Sequence, residues 1–407
     1  AADDMAPLAQ RLAGAKAMAQ HPRIRACDLE SRLGTRYTVD TLAAMRRRWP
    51  QHAFVWLMGA DNLVQLPRWR RWREIVEMMP MAVFNRPGES RRALAGAAEA
   101  KGVALNYEAA VAGGIPIVKA MREGLAGNSF SRVYGILNGT CNYILSAMRD
   151  SGRDFSDVLD EAQALGYAEA DPAFDVDGVD AAHKLAILTS LAFGCPVNLD
   201  AVHIEGIRQV SAVDIEFATE LGYRIKLLAI ARLTDNGVEQ RVHPCMVAEG
   251  TSIAHVDGVF NAVVAEGDFV DRVVFEGRGA GEGPTASAVL GDLVDIGRNI
   301  RLPAFSVPAA ALQTLQPAPM DSHVGPYYVR LSVLDRPGVI ADISAILRDE
   351  HISIGSMLQR GRNPGEAVTV VLITHENEEA AMSRAMALIG GLEAVLEEPK
   401  IIRIEAL

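Results

Sequence analysis

The sequence predicts three successive fold types: an α/β segment, a mixed α+β domain, and a β-α-β-β-α-β tail. Three observations carry this. Short apolar strands alternate with helix-patterned runs over 1–91. Over 92–316 that beat is lost, and glycine-rich turns and a carboxylate-rich run take its place. After a Pro-containing linker at 317–326, residues 327–407 return to regular elements. A length of 407 residues accommodates two or three such domains.

Composition narrows the function. Hydrophobic residues make up 49%, which suits core-forming modules. The 40 basic against 51 acidic residues give a net charge of -11, which argues against general nucleic-acid binding. Cys27, Cys141, Cys195 and Cys245 show no CxxC spacing and read as free thiols in a reducing cytoplasm. No metal-ligand cluster stands out, and no apolar run reaches the roughly 18 residues that span a membrane. The opening stretch reads as an amphipathic helix without a signal peptide's apolar core. A start without methionine predicts a longer parent sequence.

In the first piece, Pro7 to Gln20 reads as a helix with proline in its first turn. Ile24 to Leu29 reads as a strand. Tyr37 to Trp49 reads as a helix entered through Thr38, with Asp40 near its positive end. Phe54 to Gly59 is a buried strand, Trp69 to Met79 a helix, and Ala82 to Phe84 a strand. The alternation implies a parallel sheet, with ligands at the strand carboxyl ends. Trp69 and Trp72, three apart, can share a helix face and stack on a planar heterocycle. Core packing explains them as well, and a solvated face explains the arginines around them.

The second piece opens with a strand at Val103 to Tyr107 and a turn at Val111 to Pro116. Its most informative run, Glu169 to Lys184, holds five carboxylates within sixteen residues and ends in a lysine. Asp180 precedes Lys184 by four, so a helix places both on one face. The carboxylate can then orient an ammonium that exchanges a proton with a substrate oxygen. A solvated loop is the alternative, while calcium fits poorly because the EF-hand spacing is missing. Gly277 to Gly283 does not keep GxGxxG spacing and is not read as a dinucleotide fingerprint.

In the tail, the strands are Tyr327 to Val333, Ile352 to Gln359, Ala367 to Thr374 and Pro399 to Ile404. The helices are Val339 to Glu350 and Glu378 to Ile389. That order is the ferredoxin-like arrangement.

Several motifs resemble known families. Gly34 to Thr41, Trp56 to Asn62 and Pro67 to Arg73 resemble nicotinate-nucleotide adenylyltransferase, of the nucleotidyltransferase α/β fold. The resemblance implies that Thr38 and Trp72 hold a pyridine ring and that Gly59 and Asp61 lie beside the adenylate. The family's HxGH motif is absent, so residues 1–91 read as a fragment without adenylyl-transfer machinery.

Asn106 to Pro116, Gly135 to Tyr143, Ala164 to Glu169 and the carboxylate run closely resemble homoserine dehydrogenase. The likeness covers about 92–407. It implies NAD(P)H-dependent reduction of L-aspartate 4-semialdehyde to L-homoserine, a step toward threonine and methionine. Lys184 is then the proton donor. Glu169, Asp175 and Asp180 surround the substrate's amino group, and Thr140 and Tyr167 line the same pocket. Gly166 and Gly281 contact the cofactor. Glu108, Val111, Gly113 and Ile115 form a loop for a monovalent cation such as sodium.

The family's N-terminal Rossmann domain is expected to be missing here, with weakened or absent turnover. The tail resembles the ACT amino-acid-sensing domain through Asp335, Gly338 and Val339. That implies pairing into a homo-oligomer and a threonine effector, with a ligand-free dimerisation module as the alternative.

Overall fold

The computed structural model describes residues 8–18, 26–52, 54–59, 66–79, 81–84, 91–361 and 365–407. They fall into two compact units. The smaller takes in residues up to 90 together with 100–106 and 293–301, and the larger holds 91–99, 107–292 and 302–407.

The smaller unit carries α1 (Leu8–Met18), α2 (Leu29–Leu33), α3 (Thr38–Arg48), β1 (Trp56–Gly59), α4 (Trp72–Met78) and β2 (Met81–Phe84). β1 and β2 pair in parallel from Trp56↔Met81 to Gly59↔Phe84, as the alternation implied. Val39, Leu42, Ile75 and Met79 form its small core. Three local expectations fail. Leu29 starts a helix, not the end of a strand, because Gly34 in the left-handed region closes a five-residue turn. The N-cap of α3 is Tyr37, and Thr38 is its first helical residue. The expected Trp69–Met79 helix is broken by Arg71 at φ 54°, so Trp69 and Trp72 share no helix face. Trp69 packs against Trp56 instead, with ring centroids 5.4 Å apart.

The larger unit is entered through α5 (Arg91–Ala100). The predicted strand at Val103 to Tyr107 is irregular chain, and its apolar residues do not pair in any ladder. The main elements that follow are β3 (Phe130–Ile136), α6 (Gly139–Ser151), α7 (Phe155–Ala164), α8 (Val179–Phe193), α9 (Ala212–Glu220), β4 (Tyr223–Thr234), β5 (Gly237–Ala248), β6 (Phe260–Gly267), β7 (Asp271–Arg278) and α10 (Glu282–Gly297). The tail adds β8 (Tyr327–Leu334), α11 (Val339–Asp349), β9 (Ile354–Gln359), β10 (Ala367–Thr374), α12 (Glu379–Gly390) and β11 (Lys400–Glu405). Its β-α-β-β-α-β order matches the sequence reading, although β9 starts two residues later than expected.

One sheet runs through this unit in the order β9-β10-β8-β11-β5-β4-β3-β6-β7. β11 lies parallel to β5, with Arg403 opposite Cys245 and Glu405 opposite Val247. The tail is therefore continuous with the domain before it. The expected linker is stitched in as well. Val238 N donates to Gln316 O at 2.8 Å, and Ala318 N donates to Val238 O at 3.0 Å. Helix α8 is apolar on nearly every side, which marks a buried helix, and it lies against β3, β4 and β5. Among the described residues, no helix is long and apolar enough to cross a membrane.

Candidate active site

Gly178 starts α8 with φ 84°, a conformation that costs other residues strain. A Cβ there would also lie 3.2 Å from Ile204 and 3.3 Å from the Glu205 carbonyl. The tight turn sets the start of α8, with Asp180 in its first turn and Lys184 one turn further on, beside Leu137 at the end of β3. Lys184 Nζ donates to Asp180 Oδ2 at 2.6 Å and to Leu137 O at 2.9 Å. The two side chains are 19% and 22% exposed, so the pair is sheltered yet reachable.

Asn138 joins the cluster from the β3–α6 connection. Its Oδ1 accepts from Cys141 N and caps α6, while Nδ2 donates to Asp175 Oδ1 at 2.7 Å and Asp180 Oδ2 at 2.8 Å. Thr140 Oγ1 donates to Tyr167 O at 2.8 Å and lies 3.3 Å from Asp175 Oδ2. Two carboxylates against one ammonium leave a net negative pocket suited to a cationic substrate group.

Of the predicted residues, the structure therefore joins Lys184, Asp180, Asp175, Thr140 and the Tyr167 backbone. The Tyr167 ring is half exposed and meets Tyr143 at 4.8 Å between centroids. Glu169 is exposed on the neighbouring loop, where its carbonyl accepts from Gln163 Nε2. Its carboxylate makes no hydrogen bond to the cluster among the described residues. Cys141 sits beside Asp175, but burial pushes its thiol well up, so it is no nucleophile.

Glu108 is buried, and its carboxylate accepts from Val118 N at 2.9 Å and Lys119 N at 2.8 Å. Burial pushes this carboxyl up to about 7, against the lowering effect of those two donors. Val111, Gly113 and Ile115 follow in a tight turn with Ala112 at φ 45°. Gly113 N donates to Gly279 O at 2.7 Å and Gly114 N to Arg278 O at 2.9 Å, which latches this turn to the loop after β7. Gly166 at φ 75° and Gly281 at φ 120° both present exposed, side-chain-free backbone.

In the smaller unit, Thr38 lines an open cavity of about 370 Å³ with Thr41, Phe54, Trp56 and Met79. Trp72 is not among its lining residues, although Met79 at the other end of the same helix is. Gly59 ends β1. Asp61 lies outside the described residues. In the tail, Gly338 at φ 98° begins α11 and Val339 is buried behind it. The backbone of Asp335 pairs with Gly365 and Glu366.

Asn138 is the site residue that sequence reading did not single out. Its available signal was its position as N-cap between a strand and a helix.

Comparison with known proteins gives the family. The homoserine dehydrogenase family matches residues 116–294, and the ACT domain matches 327–390. A homoserine dehydrogenase of Neisseria gonorrhoeae is 46% identical over 316 residues, which is 76% of this chain and 73% of the relative. One from Pseudomonas aeruginosa is 46% identical over 317 residues, with the same shares. The crystal structure of a homoserine dehydrogenase from Thiobacillus denitrificans is 45% identical and overlays with a TM-score of 0.78. That overlay covers 86% of this chain and 81% of the other.

Proposed function

The chain belongs to the homoserine dehydrogenase family, and on that premise we propose that the Lys184 cluster binds L-aspartate 4-semialdehyde and L-homoserine and interconverts them with NAD(P)H. One observation carries this reading. Lys184 Nζ donates to Asp180 Oδ2 and to the Leu137 carbonyl, which aims the side chain and leaves its tip able to meet a substrate oxygen. The nicotinamide cofactor supplies the hydride when bound. As the carbonyl carbon is reduced, its oxygen takes the electron pair of the broken π bond and a proton from Lys184 Nζ. Asp180 steadies the ammonium beforehand, and solvent reprotonates the amine afterwards. Asp175, Asp180 and Glu169 receive the substrate's own ammonium. The Thr140 hydroxyl and the Tyr167 ring line the pocket.

Gly166 and Gly281 are the cofactor contacts in this reading. Glu108, Val111, Gly113 and Ile115 would hold a monovalent cation such as sodium, mostly through backbone carbonyls, and so brace the turn against the loop after β7. Residues 1–91 offer no glycine-rich phosphate loop, so slow turnover is expected. The reading of a nucleotidyltransferase-type fragment rests on the motifs Gly34 to Thr41, Trp56 to Asn62 and Pro67 to Arg73, and the parallel strand pair is of the α/β kind that this reading requires. The tail is assigned threonine binding at Asp335, Gly338 and Val339 of paired ACT domains, in a cytoplasmic homo-oligomer.

Calorimetry with L-homoserine, beside an NADPH-oxidation assay with the semialdehyde, tests the proposal. Homoserine binding with weak turnover is expected. No homoserine binding would sink the Lys184 reading, and turnover at full family rates would sink the expectation of weak hydride delivery. Threonine calorimetry tests the tail.

A further inference from the structure

Asn261, in β6, is 1% exposed. Among the described residues, neither its Oδ1 nor its Nδ2 has a hydrogen-bond partner. A buried amide with both groups unmet carries a desolvation cost that native proteins rarely retain without a reason. Its surroundings supply one. On one side stands Gly139, the first residue of α6, whose Cβ would lie 3.4 Å from Asn261 Oδ1. On the other, the amide lies flat on Gly279, where a Cβ would come within 2.1 Å of Nδ2. Only glycine at 279 admits this approach. Asn261 thus fills the space between the helix that carries Thr140 and the loop that carries Gly281.

We infer that Asn261 is a positioning residue for hydride transfer, whose side-chain amide takes up the backbone of the Arg278–Gly281 loop when the nicotinamide cofactor binds. This rests on the reading of that loop as a cofactor contact. Two facts support it. A side-chain amide sets an N–H donor beside a carbonyl acceptor, which complements the C=O and N–H of a single backbone residue in extended chain. The loop covers the amide closely, since a Cβ on Gly279 would lie within 2.5 Å of both its oxygen and its nitrogen. At present the loop carbonyls of Arg278 and Gly279 are held by Gly114 N and Gly113 N. A modest shift of the loop would bring its peptides onto Asn261 and move Gly281 relative to Lys184.

The test compares the wild-type chain with Asn261→Leu, which removes the amide at similar volume, and with Asn261→Ala. Melting temperature, L-homoserine affinity, NADPH affinity by fluorescence, and amide exchange over 277–283 with and without NADPH are measured. In the wild type, NADPH should slow exchange in the loop. In Asn261→Leu the melting temperature should hold or rise, because an unmet polar group is gone, and homoserine affinity should stay unchanged. NADPH affinity should fall about tenfold, the equivalent of one ordinary hydrogen bond, and loop protection should vanish. Asn261→Ala should lose the same protection. A fall in melting temperature with NADPH protection intact would show that the amide serves the fold, and would overturn the proposal. A wild type that binds homoserine yet shows no NADPH protection would also overturn it, while leaving the Lys184 site standing. A wild type that binds neither ligand would sink the site itself.

Discussion

Asn138 serves two neighbours with one side chain: its oxygen caps α6, and its nitrogen donates to Asp175 and Asp180. Asn138→Asp would place a third carboxylate against these two and remove their shared donor. We expect it to abolish homoserine binding by calorimetry and to lower the melting temperature. Asn138→Ala should cost about 1 kcal/mol from the lost cap alone, measured by urea unfolding. Lys184→Met separates chemistry from binding. Turnover should drop by about 10²–10⁴, the range of a lost general acid, while homoserine heat persists. Retained turnover in that variant would remove Lys184 from the mechanism. These residues also mark what a sequence can reveal. Asp180 and Lys184 are legible together because an i,i+4 pair on one helix needs no tertiary information. Asn138 was not, because its partners lie 37 and 42 residues away, Asp175 before α8 and Asp180 on it, and meet Asn138 only through tertiary packing. Trp69 and Trp72 misled for the reverse reason. Their spacing was helical, but a single left-handed residue, Arg71, broke the helix between them.

At the scale of elements, the seam between β5 and β11 concentrates buried charge. Arg241 bonds to Glu239, Glu405 and His243, and His323 Nδ1 lies 2.8 Å from Glu239 Oε1. Burial alone would raise the Glu239 carboxyl, but the His323 hydrogen bond and the Arg241 charge outweigh it and hold it down to about 2. A folded pKa below the unfolded value means stability that is present above about pH 4.5 and lost as pH falls toward 2. The corresponding contribution is on the order of 3 kcal/mol. Urea midpoints should therefore fall steeply across that window in the wild type. The slope should flatten in Glu239→Gln, and an unchanged slope would refute the assignment. None of this network was legible in the sequence, since Glu239, Arg241 and Glu405 come from strands joined only by the long-range pairing of β5 with β11. The strands themselves were legible in the tail, where apolar alternation is regular. Val103 to Tyr107 was overcalled because a short apolar run cannot tell a strand from packed irregular chain.

At the scale of the larger unit, the ACT tail is structurally inseparable from the catalytic domain, although its sequence reads as a separate module. β11 supplies the parallel neighbour of β5, and the linker pairs with Val238. A second tie runs through α9, where Arg330 Nε donates to Asp214 Oδ1 at 2.6 Å and the Tyr328 hydroxyl to the same oxygen at 3.1 Å. Asp214 is 1% exposed and also completes the capping box of α9 with Ser211. Removing the tail would therefore bare an apolar strand edge and strand Asp214, Glu239 and Arg241 without their partners. Edges of that kind template aggregation, and an uncompensated buried charge costs about 3–5 kcal/mol. The expected outcome for a chain ending at Gln316 is loss of soluble protein on size-exclusion chromatography, not a free-standing catalytic domain. A single Arg241→Met should cost a similar 3–5 kcal/mol because it leaves two carboxylates buried beside an apolar group. Combining Arg241→Met with Glu239→Leu and Glu405→Leu should recover most of that loss, since replacing a buried ionic group whole by apolar residues is often neutral. Recovery would show that the seam's charges fix how the tail pairs with β5 more than they stabilise it. A triple variant as unstable as the single one would mean that the charges themselves stabilise the seam, beside the separate ion pairs of Arg403 with Glu379 and Glu205.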